Sequence, residues 1–283
     1  MSKDDLGDRM KAYEGTYTNI LLPDNQHVYA RIDGRGFSRL TRNLQRPFDS
    51  NFHACMIATT AYLVEQTHAM AGFTQSDEIS LIWNKPDWFS GKTLKMSSVL
   101  AGMASSKFMS ALYKSQDTSG TMQKLTEKMP HFDARVFSVP TLEELANAML
   151  WRVLDCEKNS VSMLAHSHFS HKSLQGKNSL EMKQQLVEID DPIEAYPKSF
   201  VHGTWVRRRL VQRPLTPDEL EKIPRQHRPD PNELVTRHET VYGAYPKFKT
   251  LLIDQKIAWL TECGDMAQYY NINKQGTIDY VLK

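Results

Sequence analysis

Strand-like and helix-like patterns follow one another along the first 140 residues in the order β-α-β-β-α-β. Apolar residues alternate with polar ones in the strand-like segments and recur every three or four residues in the helix-like segments. This order is typical of the ferredoxin-like split βαβ unit, in which the first strand lies beside a strand of the hairpin. The predicted strands are 27–33, 73–75, 79–83 and 131–139, and the predicted helices are 49–70 and 93–113.

The chain changes character after Pro140. Thr141 and Glu144 have the spacing of a capping box, which predicts the start of a long helix that reaches about Phe169. A further helix is expected over 172–187, prolines between 192 and 231 mark loops, and 250–283 combines a helix-like piece with short strands. We therefore expect two parts, 1–140 and 141–283, of which the second is mainly helical.

The composition is that of a globular protein, with 40% apolar and 24% charged residues in a chain of 283. The 35 basic and 33 acidic residues leave a net charge of +2, so a nucleic-acid partner would have to meet local basic patches. No apolar run approaches the ~18 residues that span a bilayer, and the acidic start is unlike a secretory signal. Three distant cysteines fit a reduced compartment. We expect a cytoplasmic protein with no membrane association.

Two acidic sites are predicted to meet at one edge of the sheet. Asp33 ends the first strand, and Asp77 and Glu78 occupy the turn of the hairpin. Turns favour Asp and Glu for their own sake, but the position of both sites on neighbouring strands favours a functional pair. Carboxylates completed by substrate phosphates and water are typical ligands of Mg²⁺, and paired ions support phosphoryl transfer.

The segment that follows Asp33 is suited to phosphate. Gly34–Ser38 follows a strand and offers backbone N–H groups to an anion, although it is neither a dinucleotide-binding fingerprint nor a P-loop. The arginines of this region are Arg31, Arg35, Arg39, Arg42 and Arg46. Guanidinium groups donate two aligned hydrogen bonds to a phosphate, while a solvated basic surface remains the simpler interpretation of the arginines alone.

Other polar clusters are less informative. His166, His168 and His171 have no Cys or acidic residue at metal-ligand spacing, so surface or RNA-facing histidines are favoured over a zinc site. The run Arg207–Arg209 lies near Trp205 and is compatible with an RNA backbone or with plain exposure.

Two motifs closely resemble those of the tRNA(His) guanylyltransferase family. They are Arg31–Ser38, with the sequence RIDGRGFS, and Gln75–Ser80, with the sequence QSDEIS. The resemblance covers about residues 10 to 210, and the C-terminal ~70 residues do not match. Further matching positions are Pro47, Asp49, Phe132–Val136, Trp151, Arg152, Asp155, Asn159, Ser160 and Phe200–Thr204.

The resemblance implies an α+β fold with a polymerase-palm-like βαββαβ sheet whose helices lie on one face. Residues 1–140 would be the palm-like catalytic domain, and 141–283 would supply tRNA binding and the contacts of a homotetramer, a dimer of dimers. Asp33, Asp77 and the backbone carbonyl of Gly34 would hold two Mg²⁺ ions, with Glu78 as a further catalytic carboxylate. The residues expected to bind the nucleoside triphosphate are Asp33, Gly34, Arg35, Gly36, Phe37, Ser38, Arg46, Ser76, Asp77, Lys95 and Arg135. The residues expected to bind tRNA are Arg152, Asn159, Lys172, Arg207 and Arg208.

The family adds nucleotides to RNA 5′ ends in the 3′-to-5′ direction, using ATP to activate the end and GTP or another triphosphate as the donor. Members devoted to tRNA(His) contain the stretch His-Ile-Asn-Asn-Leu-Tyr, whereas Glu157–Ser162 reads EKNSVS. This departure favours repair of 5′-truncated tRNA over addition of the extra guanylate to tRNA(His). The remaining alternatives are a palm-type nucleotide cyclase and a catalytically inactive tRNA-binding protein, and the intact acidic residues speak against the latter.

Overall fold

The structure, a computed structural model, describes residues 5–262, which form one antiparallel sheet and the helices around it. The strands are β1 (His27–Gly34), β2 (Ala71–Gln75), β3 (Glu78–Trp83), β4 (Phe132–Val139), β5 (Thr204–Arg213) and β6 (Val235–Gly243). The helices are α1 (Asp5–Thr18), α2 (Phe37–Leu40), α3 (Ser50–Thr67), α4 (Thr93–Tyr113), α5 (Thr121–Leu125), α6 (Leu142–His168), α7 (His171–Leu174), α8 (Ser179–Glu188), α9 (Lys198–His202), α10 (Pro217–Glu221) and α11 (Ile253–Thr261).

The strand order β4-β1-β3-β2-β5-β6 contains the split βαβ unit as its first four strands. β1 lies between β4 and β3, so the first strand is beside the hairpin, as the order of the patterns predicts. The α+β fold class is therefore confirmed. β5 and β6 come from the chain beyond residue 140 and extend the same sheet from the edge of β2.

The two helices of the βαββαβ unit lie on one face of the sheet. Val28, Ala30 and Ile32 alternate along β1 and are completely buried against α3 and α4. α3 begins at a side-chain cap, because Asp49 accepts a hydrogen bond from the backbone N–H of Phe52 at 2.9 Å. The side chains on this face form a continuous apolar layer against which β1 packs.

The opposite face is covered by α6 and α11 from the C-terminal part of the chain. Tyr29, Phe73 and Trp205 of the sheet pack there against Met149 of α6 and Trp259 of α11. The cover stops short of β4 at the end of the sheet where β1 finishes, since the side chains of β4 on this face remain about half exposed. One polar end of the sheet is thus left open to solvent.

Several elements were not predicted from the sequence. α1 and both C-terminal strands are absent from the predictions, and the helix expected over 172–187 is divided into α7 and α8. The division follows Gly176, whose φ of 80° is a left-handed conformation that ends a helix. The short strands expected near the C-terminus lie largely outside the described residues, and α11 accounts for the helix-like piece.

No helix in the part of the chain that the structure describes is both long and apolar enough to cross a membrane. Cys55 and Cys156 are buried and unpaired, and Cys263 lies outside the described residues.

The junction between α9 and β5 requires a glycine at position 203. Gly203 has φ 72° and ψ −178°, and an added Cβ would lie 2.3 Å from the ring of Phe73. We expect Gly203→Ala to lower the free energy of unfolding by about 2 kcal/mol or more, because backbone strain and overpacking act together. Urea unfolding followed by circular dichroism measures this loss.

Gly102→Ala is the matched control. Gly102 lies within α4, and an added Cβ would meet no atom within 4 Å. Its substitution is expected to raise stability by up to about 1 kcal/mol, because alanine is the better helix former. Equal effects of the two substitutions would contradict the packing described for Gly203.

Candidate active site

Asp33 and Asp77 meet at the open end of the sheet. Asp33 is the last side-chain-bearing residue of β1 and is paired in register with Glu78, the first residue of β3. The backbone N–H of Gly34 donates to the backbone carbonyl of Asp77 at 3.1 Å, which fixes the hairpin turn against the end of β1. The two acidic segments therefore meet as the strand order predicts, while their catalytic role stays a prediction.

The carboxyl groups at this end of the sheet raise one another's pKa. Burial and then the charge of Asp133 raise the pKa of Asp33 above its usual value. Burial and then the charge of Asp33 raise the pKa of Asp77 to about 6. Crowded, half-buried carboxylates of this kind are stabilised by a cation between them.

The donor set fits Mg²⁺ rather than a soft metal. Oxygen atoms of Asp33, Asp77 and the Gly34 carbonyl are the hard ligands that Mg²⁺ prefers. Within residues 5–262, no group of three or more His, Cys, Asp or Glu side chains is placed to hold a metal ion. Water and substrate phosphates would therefore have to complete the coordination, as is common for Mg²⁺ in nucleotide-dependent enzymes.

The turn after β1 is fixed by packing. An added Cβ on Gly34 would lie 2.5 Å from the ring of Phe37, and Gly36 has a left-handed φ of 71°. The Phe37 ring is buried among Phe52, Phe108 and Phe132. Of the residues expected to bind nucleotide, Phe37 therefore offers only its backbone.

Some polar groups of the turn are hydrogen-bonded within the protein, and others are exposed to solvent. The backbone N–H of Arg35 donates to the His131 carbonyl at 3.0 Å, whereas the side chains of Arg35 and Ser38 are exposed. The N–H groups of Phe37 and Ser38 stand at the start of α2, where intrahelical acceptors do not yet exist. Ser76 is exposed across the hairpin. These groups face the space beside the two carboxylates.

Glu78 is held by a buried ion pair with α6. Arg152 donates to its carboxylate twice, from Nε to Oε1 at 2.6 Å and from Nη2 to Oε2 at 2.8 Å. The Nε of Arg31 lies 4.0 Å from Oε2. Arg152 also donates to Asp155 at 2.8 Å, and that carboxylate accepts from Asn159 at 2.9 Å. Glu78 therefore acts as an anchor for α6 at the edge of the site.

This ion pair revises one expectation. Arg152 was predicted to bind tRNA, but it is only 6% exposed. Its guanidinium group is paired with the carboxylates of Glu78 and Asp155. Its charge is neutralised inside the protein, so it positions the hairpin instead of contacting RNA.

A cleft opens beside the hairpin, between α3 and α6. It adjoins the carboxylates through Gln75 and Ser76, and Asn159 lies on its α6 side. In the segment between α2 and α3 that forms much of its wall, Arg46 was predicted to bind nucleotide, and Pro47 and Asp49 were noted only as matching positions. The lining residues from that segment are Thr41, Leu44, Gln45, Arg46, Pro47, Phe48 and Asp49.

His53 is an uncharged side chain in the floor of this cleft. Its Nε2 lies 2.9 Å from Oγ1 of Thr204 in the buried interior. Burial lowers the pKa of His53 to about 4, so the ring is uncharged at neutral pH. Together with Leu44 and Phe48, it gives the cleft an apolar floor beneath a polar rim.

A second open cleft of about 990 Å³ lies on the far side of Arg46. It is lined by Arg46, Ser162, Met163, His166, Ser167 and His171. The exposed Lys172 follows directly in the chain, and His168 is paired with Asp191 at 2.6 Å. His168 is therefore engaged with an acidic partner, while the cleft presents basic and hydroxyl groups.

Arg135 lies at the site, whereas Lys95 does not. Arg135 is paired in register with Arg31 and lies 3.6 Å from Asp133. Lys95 belongs to the first turn of α4 and lies over Phe89, beyond the far end of β3. The whole length of the sheet separates it from Asp77, so a contact between Lys95 and a triphosphate at the carboxylates of the same chain is excluded.

Arg207 and Arg208 also lie away from the carboxylates. Arg207 is 3% exposed, donates to the backbone carbonyl of Glu262 and lies over the Trp259 ring. Its predicted contact with tRNA is therefore wrong for the physical reason that its guanidinium is inside the protein. Arg208 is half-buried beside His68, at 3.1 Å, where α3 ends.

The comparisons with known proteins place this palm-like sheet in a family of nucleotidyltransferases. A model of the family described as tRNAHis guanylyltransferase matches residues 7–140. A bacterial tRNA(His) guanylyltransferase (Thg1)-like protein in complex with ATP is 33% identical, with a TM-score of 0.64 over 72% of this chain and 88% of that chain. The chain belongs to the tRNA(His) guanylyltransferase family.

Two further comparisons extend over more of the chain or its relatives. A bacterial Thg1-like protein in complex with GTP is 26% identical, with a TM-score of 0.64 over 92% of this chain and 99% of that chain. Protein R259 of Acanthamoeba polyphaga mimivirus is 31% identical over 233 residues, 73% of this chain and 78% of that protein. The chain spans about half the length of the fungal tRNA(His) guanylyltransferases that it matches.

We expect the buried ion pair between Glu78 and Arg152 to affect the stability of the protein. Arg152→Met leaves a buried carboxylate without its counter-ion and is expected to cost about 3–5 kcal/mol of unfolding free energy. The double variant Glu78→Gln/Arg152→Met removes both charges and is expected to be more stable than Arg152→Met alone. Urea unfolding of both variants measures the difference.

Arg135→Met is the control for this pair. Arg135 and Asp133 are both at least half exposed, so their pair contributes less than about 1 kcal/mol. A loss for Arg152→Met no larger than that for Arg135→Met would show that the Glu78 pair does not anchor α6.

Proposed function

We propose that the protein is a Mg²⁺-dependent nucleotidyltransferase that adds nucleotides to the 5′ end of tRNA in the 3′-to-5′ direction. The observation that supports this most is the meeting of Asp33 and Asp77 beside the Gly34–Ser38 turn. The ATP and GTP complexes of the bacterial relatives support a nucleoside triphosphate as the substrate.

Each group at the site has a distinct role in this proposal. Asp33, Asp77 and the carbonyl of Gly34 would hold two Mg²⁺ ions, which, when bound, supply positive charge to the reacting phosphates. The backbone N–H groups of Phe37 and Ser38 bind triphosphate oxygens. The cationic side chains around the triphosphate are Arg35, Arg46 and Arg135. Since phosphoryl transfer needs little covalent chemistry, positioning and charge provide most of the catalysis.

The cleft beside the hairpin is suited to the base of the incoming nucleotide. It adjoins Asp77 through Ser76, has the apolar floor formed by Leu44 and Phe48, and presents polar atoms of Gln45 at its rim. An apolar slot with a few polar groups is the common form of a small-molecule site. A triphosphate at the carboxylates would leave its base within reach of this cleft.

The reaction proceeds in two transfers. An oxygen of the RNA 5′-monophosphate attacks the α-phosphorus of ATP, a new P–O bond forms, and pyrophosphate leaves. The 3′-hydroxyl of the incoming nucleotide then attacks the 5′-phosphorus of the RNA, loses its proton to solvent, and displaces AMP. An RNA that already has a 5′-triphosphate enters at the second transfer and releases pyrophosphate.

Repair of 5′-truncated tRNA is favoured over maturation of tRNA(His). Glu157 stands where the tRNA(His)-specific members have histidine, and its carboxylate pairs with His202 at 2.8 Å and Lys249 at 2.7 Å. Burial alone would raise the pKa of Glu157, but hydrogen bonds from these two partners hold it below its usual range. Because Glu157 is engaged within the protein by these two partners, the contact proposed for the histidine of tRNA(His)-specific members would not be made at this position.

The assembly and compartment belong to the same proposal. We propose a homotetramer, a dimer of dimers, because a chain with net charge +2 needs several copies to offer a long basic surface to tRNA. The buried, unpaired Cys55 and Cys156 support the reducing cytoplasm as the place of action.

Asp33→Asn and Asp77→Asn are expected to abolish nucleotide addition, because each removes an anionic oxygen ligand while keeping the side-chain volume. The assay uses a tRNA that lacks its first 5′ nucleotide, with ATP, Mg²⁺ and each triphosphate in turn. The exposed Asp87→Asn is the control and is expected to retain full activity. Thermal unfolding verifies that all three variants fold.

The products of this assay separate the alternatives. Restoration of the templated base alone indicates repair, whereas guanylate added beyond a full-length tRNA(His) end indicates maturation. RNA binding without any transfer by the wild-type protein would indicate an inactive tRNA-binding protein and would overturn the proposal.

Binding of tRNA is expected to weaken steeply with salt, because phosphate contacts release counterions. Lys172→Ala should reduce the slope of log affinity against log salt concentration by about 1, since it removes one phosphate contact. The exposed Lys85→Ala, at the other end of the sheet, should leave the slope unchanged. Fluorescence anisotropy at several salt concentrations measures both slopes, and equal slopes for the two variants would remove Lys172 from the RNA surface.

A further inference from the structure

Trp151 is the most exposed of the five tryptophans, and it lies beside the carboxylates. Half of its surface is accessible, whereas Trp83, Trp205 and Trp259 are at most 6% exposed. It belongs to α6 and directly precedes Arg152, the partner of Glu78. A large apolar ring that stays in solvent next to a polar site has no role in the core and marks a contact surface.

Two guanidinium groups of the ion pairs around Glu78 lie close to the Trp151 ring. The guanidinium carbons of Arg152 and Arg31 lie 4.5 Å and 5.4 Å from its centroid. Both guanidinium groups also face the carboxylate of Glu78, at 2.6 Å and 4.0 Å. Trp151 is therefore fixed relative to Asp77 and Asp33 before any ligand binds.

The surface around Trp151 combines apolar and cationic groups. Phe137 of β4, on the face of the sheet that α6 covers, is 38% exposed. The half-exposed Arg135 lies between Phe137 and Asp133 on the same face of β4. Flat apolar area next to an arginine fits a nucleotide, whose base stacks while its phosphate pairs with the cation.

Two substrates must reach the carboxylates from different sides. The cleft proposed for the incoming base is bounded by Gln75 of β2 and by α3. Trp151 lies on the opposite side, above β1 and next to β4. The nucleotide and the RNA end therefore each have a surface of their own, with Asp33 and Asp77 between them.

We propose that Trp151 is the stacking platform for the 5′-terminal base of the RNA substrate. This inference rests on the proposed function and specifies how its second substrate is held. Stacking on Trp151 aligns the RNA 5′-phosphate with the carboxylates, where Arg135, already proposed as a cation for the triphosphate, also lies.

The test uses an RNA acceptor-stem hairpin that lacks its first 5′ nucleotide and has 2-aminopurine as its 5′-terminal base. Stacking on an aromatic ring quenches 2-aminopurine fluorescence. Trp151→Leu keeps an apolar side chain against the arginine stems but removes the aromatic face, whereas Trp151→Phe retains an aromatic face. Leu154→Ala, one turn away, is the control for changes in the surface of α6.

The wild-type protein, Trp151→Phe and Leu154→Ala are expected to quench the bound probe, and Trp151→Leu is expected not to. In the addition assay, Trp151→Leu should raise the KM for RNA about 5-fold or more, because each stacked base contributes about 1–3 kcal/mol. The KM for the nucleoside triphosphate should stay unchanged. Equal quenching by Trp151→Leu and the wild type, or a raised KM for the triphosphate in place of RNA, would overturn the platform.

Failure of the platform and failure of the proposed function give different results. An active wild-type enzyme with an unaffected Trp151→Leu variant would remove only the role of Trp151. A wild-type protein that transfers no nucleotide would remove the proposed reaction, while quenching that depends on Trp151 would still place the RNA end there.

Discussion

The buried ion pair between Glu78 and Arg152 is the contact on which the architecture of the site depends. It joins the hairpin that bears Asp77 to the longest helix of the C-terminal part. Because both partners are withdrawn from water, neither can leave without exposing the other's charge to a low-dielectric interior. The position of α6 is thereby coupled to the position of the carboxylates. The shape of the cleft on one side of the site and the position of Trp151 on the other depend on the same contact.

The alternation of side chains along β1 explains why the site lies where it does. Ile32 and its even-numbered neighbours face the apolar layer of α3 and α4, while Arg31 and Asp33 face α6. Charged side chains at the end of an otherwise buried strand can reach solvent only on a face of the sheet that the packed helices do not cover completely. Since α6 stops short of β4, Asp33 and Asp133 remain accessible to solvent.

Local pattern was sufficient for much of the palm-like unit but not for the placement of single charged residues. The bounds of α4 agree with its periodicity, and the meeting of Asp33 with the hairpin follows from strand order. The basic run that contains Arg207 predicts an exposed surface, because the sequence does not show that Trp259 and the Glu262 carbonyl lie against Arg207. The assignment of Lys95 failed because the direction of α4 places its first turn at the far end of the sheet. β5 was not predicted for a related reason, since Arg209 and Arg213 pair with Glu239 of β6, and Arg213 also pairs with Glu219 of α10.

The pairing of β5 with β2 has a consequence for how the chain can be divided. A fragment that ended near residue 140 would leave β2 with an open edge and would uncover Phe73, which is completely buried by the C-terminal part. Unpaired strand edges next to bare aromatic surface promote aggregation. The two parts of the chain therefore share one sheet, and an insertion or a break would be tolerated best between β5 and β6, outside that sheet.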